Sequence, residues 1–411
     1  MNPAASTRST VLETVHDAAE QFHQRGEDHP VEGLEEISPQ AASLLERELR
    51  RAHDWATSPE GLAEEADEIG DEEDDYVSHD PVISLVQAAM DEFEDHVLGG
   101  KSLPRLIAEM LAIRTRKQLD FVPPKSNDDF VHDLPERCRV VLVGDWGTAK
   151  PRAREVARAI AAARPDHVVH LGDIYPSGTR TRAHRRFLDV WKEEVGDGPK
   201  FWAMNGNHEM NAGGVGYFQV VLPAWGQPAS FFCLRNAHWK LIALDTSYRD
   251  HDLEPTQMPW LLHQLSSGPG RNILLSHHQM FSVVDTRPFR NGHTLPTTLQ
   301  PVVETGRIFG WFWGHEHRCL LYAREVEWGN FYARTLGHGG KRVRQVKDGD
   351  LHPEIGPRLL HRWNVAHATK PNRAMNGFAL LQLDGPTLKI DYVDQVGRTQ
   401  ITESWPDQPL A

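Results

Sequence analysis

From Cys138 onward the sequence is a series of short apolar runs that each end in a small polar cluster: RVVLVGD (139–145), HVVHLGD (167–173), KFWAMNGNH (200–208) and RNILLSHH (271–278). Runs of this length, rich in branched aliphatic residues and closed by turn formers, read as β-strands. A helical pattern carried by Val156, Ala157, Ile160 and Ala163 separates the first two, and the aspartates that close them lie 28 residues apart, about the span of one βαβ unit. Further strands are predicted at SFFCLR, WKLIALD, IFGWFWG and CLLYARE, followed by GFALLQL and LKIDYV joined by a turn at Asp384-Gly385-Pro386. No repeat of fixed period interrupts the series. The pattern predicts an α/β domain with two packed mixed β-sheets flanked by helices, preceded by an N-terminal helical extension.

A chain of 411 residues is long enough for roughly two or three domains. We divide it into a helical region, 1–135, containing an acidic linker at about 54–80, and a main domain, 136–411. In the first region Val11, Leu12, Val15, Ala18, Ala19 and Phe22 follow helical spacing, as do Ala41, Leu44, Leu45, Leu49 and Ala52 after the capping pair Ser38-Pro39. Asp80-Pro81 opens a third helix bearing Ile83, Val86, Met90, Phe93 and Val97, and Ser102 a fourth bearing Leu106, Ile107, Met110, Leu111 and Arg114.

Charge is distributed unevenly. Residues 52–100 hold 16 of the 58 acidic side chains and no Lys or Arg, so most of the formal net charge of −14 is local and the rest of the chain is close to neutral. Ten acidic residues in the sixteen from Glu60 to Asp75 read as a solvated linker that repels nucleic acid and anionic membranes. Cys138, Cys233 and Cys319 are odd in number and widely spaced, which argues against a disulfide framework. The first 30 residues contain no apolar core of signal-peptide type and nowhere do 18 apolar residues run together, so the expectation is a cytoplasmic protein without membrane insertion. The N-terminal helices are expected to serve as a lid, an oligomerisation element or a module for a protein partner.

Five polar clusters stand at strand ends: Gly144-Asp145-Trp146-Gly147, Gly172-Asp173-Ile174-Tyr175, Gly206-Asn207-His208-Glu209, Ser276-His277-His278 and Gly314-His315-Glu316-His317. Open α/β sheets place their sites at such carboxyl ends, where loops converge on rigid supports. Each cluster offers an oxygen or imidazole donor, and in four a glycine just before the donor lets the backbone turn tightly. A single Gly-Asp or His-x-His is usually a turn or a core histidine. Five in one chain, each closing a strand, predict a metal site of mixed nitrogen and oxygen donors.

In this ordered set, D-x-G, GD, GNHE, H and GHxH, the sequence resembles the calcineurin-like metallophosphoesterase superfamily over about 138–395. Val143-Gly144-Asp145-Trp146-Gly147 is similar to the purple acid phosphatase version of the first motif, with glycine in place of a ligand histidine. Gln257 followed by Trp260-Leu261 resembles the helix that lies between the GNH motif and the next metal histidine. The resemblance implies a four-layer αββα sandwich and two metal ions, Fe, Mn or Zn. It implies Asp145, Asp173 and His317 on one metal, Asp173, Asn207, His277 and His315 on the other, and Asp173 as the bridge. His208 would donate a proton to the leaving oxygen or hydrogen-bond the phosphoryl group.

Two positions depart from that pattern. Purple acid phosphatases place a ligand tyrosine three residues after the bridging aspartate, where this chain has Pro176; Tyr175, one residue earlier, is either a substitute ligand or a packing tyrosine at the cavity wall. Gln279 stands where the family often has proline. His278 reads as a substrate contact or a core histidine, His338 of the Leu336–Gly340 loop as a substrate contact or part of a plain turn, and Arg180, with Arg182, Arg185 and Arg186, as a steering charge for an anionic substrate or a solvated arginine. Asp245 reads as a turn former.

The function expected from the resemblance is a metal-dependent phosphoric ester hydrolase, a phosphatase using a dinuclear metal centre and metal-bound hydroxide against a phosphorylated substrate. A phosphodiesterase acting on nucleotide, nucleic-acid or lipid diesters uses the same motifs. A metal-binding scaffold that has lost catalysis is the alternative of another class.

Overall fold

The structure, a computed structural model, describes residues 8–26, 38–59, 80–94, 103, 107–108, 110–111, 118–282, 294–324, 329–351, 359–367 and 370–406. The chain divides into two compact units. The larger gathers Asp120–Ile174, Ala183–Asn207 and Tyr217–Ala411; the smaller gathers Met1–Leu119 with two stretches from later in the chain, Tyr175–Arg182 and His208–Gly216.

Among the described residues the larger unit has a six-stranded sheet in the order Thr399–Trp405, Thr387–Asp394, Gly377–Asp384, Arg137–Val143, His167–His170, Lys200–Ala203. The last three strands are mutually parallel and the others antiparallel. An eight-stranded mixed sheet runs Val131–Asp133, Phe232–Arg235, Trp239–Ala243, Arg271–Ser276, Ile308–Trp313, Tyr332–Leu336, Cys319–Tyr322, Leu359–Arg362. A small third sheet joins Val343–Arg344, Lys370–Ala374 and Ala366–His367. Every strand run expected from the sequence is present.

Alternation along the strands explains why these runs are apolar throughout. Val140, Leu142, Val169 and Leu381 of the first sheet pack against Leu241, Ile273 and Phe312 of the second. Their neighbours point the opposite way, because successive strand side chains alternate. Val141, Val143, Val168 and Phe378 meet Val156 and Ile160 of the helix Pro151–Ala163 and Trp191 of Asp189–Glu194. On the far side Ile242, Leu274 and Trp311 meet Trp260 and Leu261 of Gln257–Ser266 and Leu299 of Leu295–Glu304. Both faces of both sheets are therefore buried, which needs continuous rather than alternating hydrophobicity. The layers are helix, sheet, sheet, helix.

One ion pair crosses between the two sheets. Arg334 donates to Glu403 through Nε at 2.9 Å and Nη2 at 2.7 Å, and both side chains are fully buried. Tyr392 Oη donates to the same carboxylate at 2.7 Å. Burial alone would raise the Glu403 pKa, but the Arg334 charge and these hydrogen bonds outweigh it and hold the carboxyl below its usual range.

In the smaller unit the helices Arg8–Gly26, Pro39–Thr57 and Pro81–Glu94 share one core. The first buries the six residues expected of it. The second turns differently from expectation: its buried stripe is Ala42, Leu45, Leu49, Ala52 and Ala56, while Ala41 and Leu44 face outward. Ser38 caps it, donated to by the Ala41 N–H at 3.3 Å, and Asp80 Oδ1 caps the third helix by accepting from the N–H groups of Val82 and Ile83. Ile107, Ala108, Met110 and Leu111 are helical and buried in the same core. So are Ala212 and Val215, from the stretch that follows Asn207. The acidic tract from Glu60 to Asp75, and Val97, Ser102, Leu106 and Arg114, lie outside the described residues, as does the side chain of Phe93.

The three cysteines are buried and free. No helix among the described residues is long and apolar enough to cross a membrane.

Candidate metal centre

The strand Arg137–Val143 ends at Asp145, His167–His170 at Asp173, Lys200–Ala203 at Asn207, Arg271–Ser276 at His277 and Ile308–Trp313 at His315 and His317. The first three strands belong to the six-stranded sheet and the other two to the eight-stranded sheet. All six residues lie in the larger unit.

Their donor atoms converge in two sets that share Asp173. Asp145, Asp173 and His317 offer ligand atoms within 4.8 Å of one another, and so do Asp173, His277 and His315. In the second set His277 Nε2 is 3.3 Å from Asp173 Oδ1 and 2.9 Å from Asn207 Oδ1. His315 Nδ1 is 3.1 Å from the same amide oxygen and 3.3 Å from His277 Nε2. Asn207 thus completes a four-donor set. In the first, His317 Nε2 is 3.5 Å from Asp145 Oδ1.

The surroundings orient these donors. His277 Nδ1 is 2.9 Å from the carbonyl of Leu171; a carbonyl only accepts, so Nδ1 carries the hydrogen and Nε2 presents its lone pair to the site. Burial holds the His277 pKa below the usual imidazole range, which keeps it neutral as a ligand must be. Asp145 Oδ2 accepts from the backbone N–H of His315 at 2.8 Å, leaving Oδ1 toward His317.

The backbone itself is strained here. Asp145, Asp173, His315 and His317 have φ of 56°, 82°, 66° and 49°, a left-handed region that costs non-glycine residues of order 1–3 kcal/mol each. Four such residues concentrated on two donor sets show that the fold holds the loop tips against local preference. The preceding glycines make room for this. A Cβ on Gly172, at φ 103°, would lie 2.6 Å from His277 Nδ1, and one on Gly314 would lie 2.8 Å from Asp145 Oδ2.

Residues 138–319 match the family described as calcineurin-like phosphoesterase. The match marks a calcineurin-like phosphoesterase domain within the chain. No curated protein matches the chain. Among solved structures, purple acid phosphatase PPD1 from seeds of yellow lupin (Lupinus luteus) is 16% identical with a TM-score of 0.48, over 66% of this chain and 54% of that one. This chain therefore spans about half of that phosphatase. GAP50, the anchor in the inner membrane complex of Plasmodium, is 15% identical with a TM-score of 0.48, over 65% of this chain and 88% of its own. Vps29 of Entamoeba histolytica complexed with zinc is 12% identical with a TM-score of 0.30, over 65% of this chain and 97% of its own.

The other residues singled out from the sequence fall in different places. His208 and Tyr175 belong to the smaller unit, with ring centroids 4.4 Å apart, and His208 Nδ1 is 2.5 Å from the carbonyl of Pro176. Arg180 is exposed in that unit, while Arg182 is buried. His278 is buried, with Nδ1 2.9 Å from the Thr246 carbonyl. His338 is buried against Trp363 at 4.9 Å and is absent from the three His/Asp groups found among the described residues. Asp245 accepts from the N–H groups of Ser247 and Tyr248 and from Asn205 Nδ2, which is the bonding of a turn former.

Two residues escaped the sequence reading. Glu316, between the paired histidines, is buried and accepts from Trp313 Nε1 at 2.7 Å, Thr335 Oγ1 at 3.0 Å and Ser282 Oγ, so it anchors the loop that carries His315 and His317. A signal for it was available, since a carboxylate between two ligand positions in an apolar surround needs buried donors. His251 had no comparable signal, as it follows neither a strand nor a glycine.

Proposed function

We propose that the phosphoesterase domain hydrolyses phosphoric esters with a dinuclear metal centre, one cation held by Asp145, Asp173 and His317 and the other by Asp173, Asn207, His277 and His315. The observation that carries this reading is the sharing of Asp173 between two donor sets, because one carboxylate can bridge two cations about 3.5–4 Å apart. Carboxylate, amide and imidazole together suit Fe, Mn or Zn. When bound, such a pair supplies Lewis acidity toward the phosphoryl oxygens and an activated water as nucleophile.

The chain's own residues do the rest. Asp145 fixes the His315 backbone, and the Leu171 carbonyl fixes the tautomer of His277. The Pro176 carbonyl keeps the hydrogen of His208 on Nδ1, so Nε2 is the nitrogen that, once protonated, hands its proton to the leaving oxygen.

Elemental analysis of the purified protein, run beside phosphate-release assays on a chromogenic monoester and a bis-ester, tests the proposal. At least two equivalents of metal and hydrolysis of at least one ester are expected, and the pair of substrates separates monoesterase from diesterase action. Asp173→Ala should lose both metal and turnover. His208→Ala should keep its metal while turnover falls by about 10²-fold or more. Wild-type hydrolysis surviving Asp173→Ala overturns the reading, and a metal-loaded wild type inert toward every ester supports the scaffold instead.

A further inference from the structure

A third donor group lies beside the other two. His251, His278 and His315 offer nitrogen atoms within 4.8 Å of one another, and all three side chains are buried. The rings of His251 and His278 are 3.7 Å apart between centroids, and that of His315 lies 5.2 Å from the first and 4.7 Å from the second.

The outer contacts of the group are those of a metal site. His251 Nδ1 is 2.8 Å from Asp250 Oδ1, a carboxylate partner that keeps the hydrogen on Nδ1 and turns Nε2 inward. His278 Nδ1 is 2.9 Å from the Thr246 carbonyl, which does the same for the second ring. His315 presents Nδ1 to Asn207 and His277, so its Nε2 faces the opposite way around the ring. His251 also sits at φ 53°, a strained conformation that the fold maintains at this point.

We propose that His251, His278 and His315 form a third cation site, for a borderline divalent ion of the Zn2+ class, adjoining the dinuclear set. Three imidazoles are a donor set that such ions favour, with bonds of about 2.0–2.1 Å that small ring rotations bring within reach. Of its three donors, His315 alone belongs also to the dinuclear set, serving that set through Nδ1 and the third site through Nε2; filling both nitrogens releases the ring hydrogen to solvent as a proton. The site stands on its own geometry and does not depend on hydrolysis.

The test is a titration of metal-free, full-length protein with Zn2+ against a chelating indicator, repeated with Co2+ followed by its visible absorption. The wild type should bind three equivalents. His251→Asn, which tolerates a left-handed backbone, and His278→Gln should each stop at two and lack the absorption of the third Co2+ ion. Asp250→Asn, an exposed change, should retain three sites but weaken one by about 10- to 100-fold. A wild type that stops at two equivalents, with the same two in both variants, overturns the third site and leaves the dinuclear reading standing. A wild type binding a single equivalent that His251→Asn removes has the reverse meaning. Should either variant misfold, the wild-type count decides.

Discussion

The backbone N–H of His315 donates to Asp145 Oδ2 at 2.8 Å. Asp145 ends a strand of the six-stranded sheet and His315 ends one of the eight-stranded sheet, so a single carboxylate ties together the two halves of the sandwich where the donors meet. Asp145→Asn keeps an acceptor and the left-handed backbone while removing the charge. Because Asp145 is a proposed ligand, the change is expected to weaken one cation by at least about 10- to 100-fold, the loss that even an outer contact gives, with little change in the melting temperature of the metal-free protein. Metal titration and calorimetry on the same sample check both halves of this statement.

Two fully buried imidazoles set an acid limit on stability. Burial pushes His170 and His338 down to about 3 from 6.5. A histidine depressed in the folded state binds its proton first in the unfolded chain, so its contribution is present above about pH 6.5 and is lost as pH falls toward about 3. Each should cost about 2 kcal/mol between pH 7 and pH 5 by this linkage. Urea unfolding of metal-free protein at the two pH values measures the loss, and in His338→Gln it should shrink by one histidine's share. An unchanged difference between the pH values would show that His338 titrates normally.

The Arg334–Glu403 pair makes a strong prediction about folding. Removing one partner leaves the other charged and buried, so Glu403→Ala should destabilise by about 3–5 kcal/mol. The double replacement Arg334→Met with Glu403→Leu removes both charges and should be much less harmful than the single change. Denaturant midpoints of the three proteins give the comparison.

The helical unit holds a further test. Leu49 is fully buried in the core that also contains Ala212 and Val215, close in sequence to His208. Leu49→Ala should cost about 2–5 kcal/mol of stability in that unit. If the core keeps the His208–Gly216 stretch in place, turnover should fall while metal content stays at the wild-type level. Turnover unaffected at a temperature where the variant is folded would separate the helices from catalysis.

Much of this was legible in the sequence because it is locally encoded. The runs ending at Asp145, Asp173, Asn207, His277 and His315 announce strands by length and residue type, and glycines mark where the chain must turn tightly. The four-layer order was implied by the family resemblance, and strands apolar on both faces agree with it. The buried stripe of Pro39–Thr57 did not follow, since Ala41 and Ala42, or Leu44 and Leu45, satisfy helical spacing equally well and only the neighbouring helices choose between them.

The sequence by itself determined the strands and the polar clusters that close them, because each depends on residues within one turn or one strand. Tertiary structure alone decided that His251 would stand beside His278, that Glu316 would be held by Ser282 and Thr335, and that Ala212 and Val215 would join the core of helices formed more than a hundred residues earlier. These are contacts between segments far apart in the chain, and what fixes them is the burial of apolar surface across whole layers, which no local pattern records.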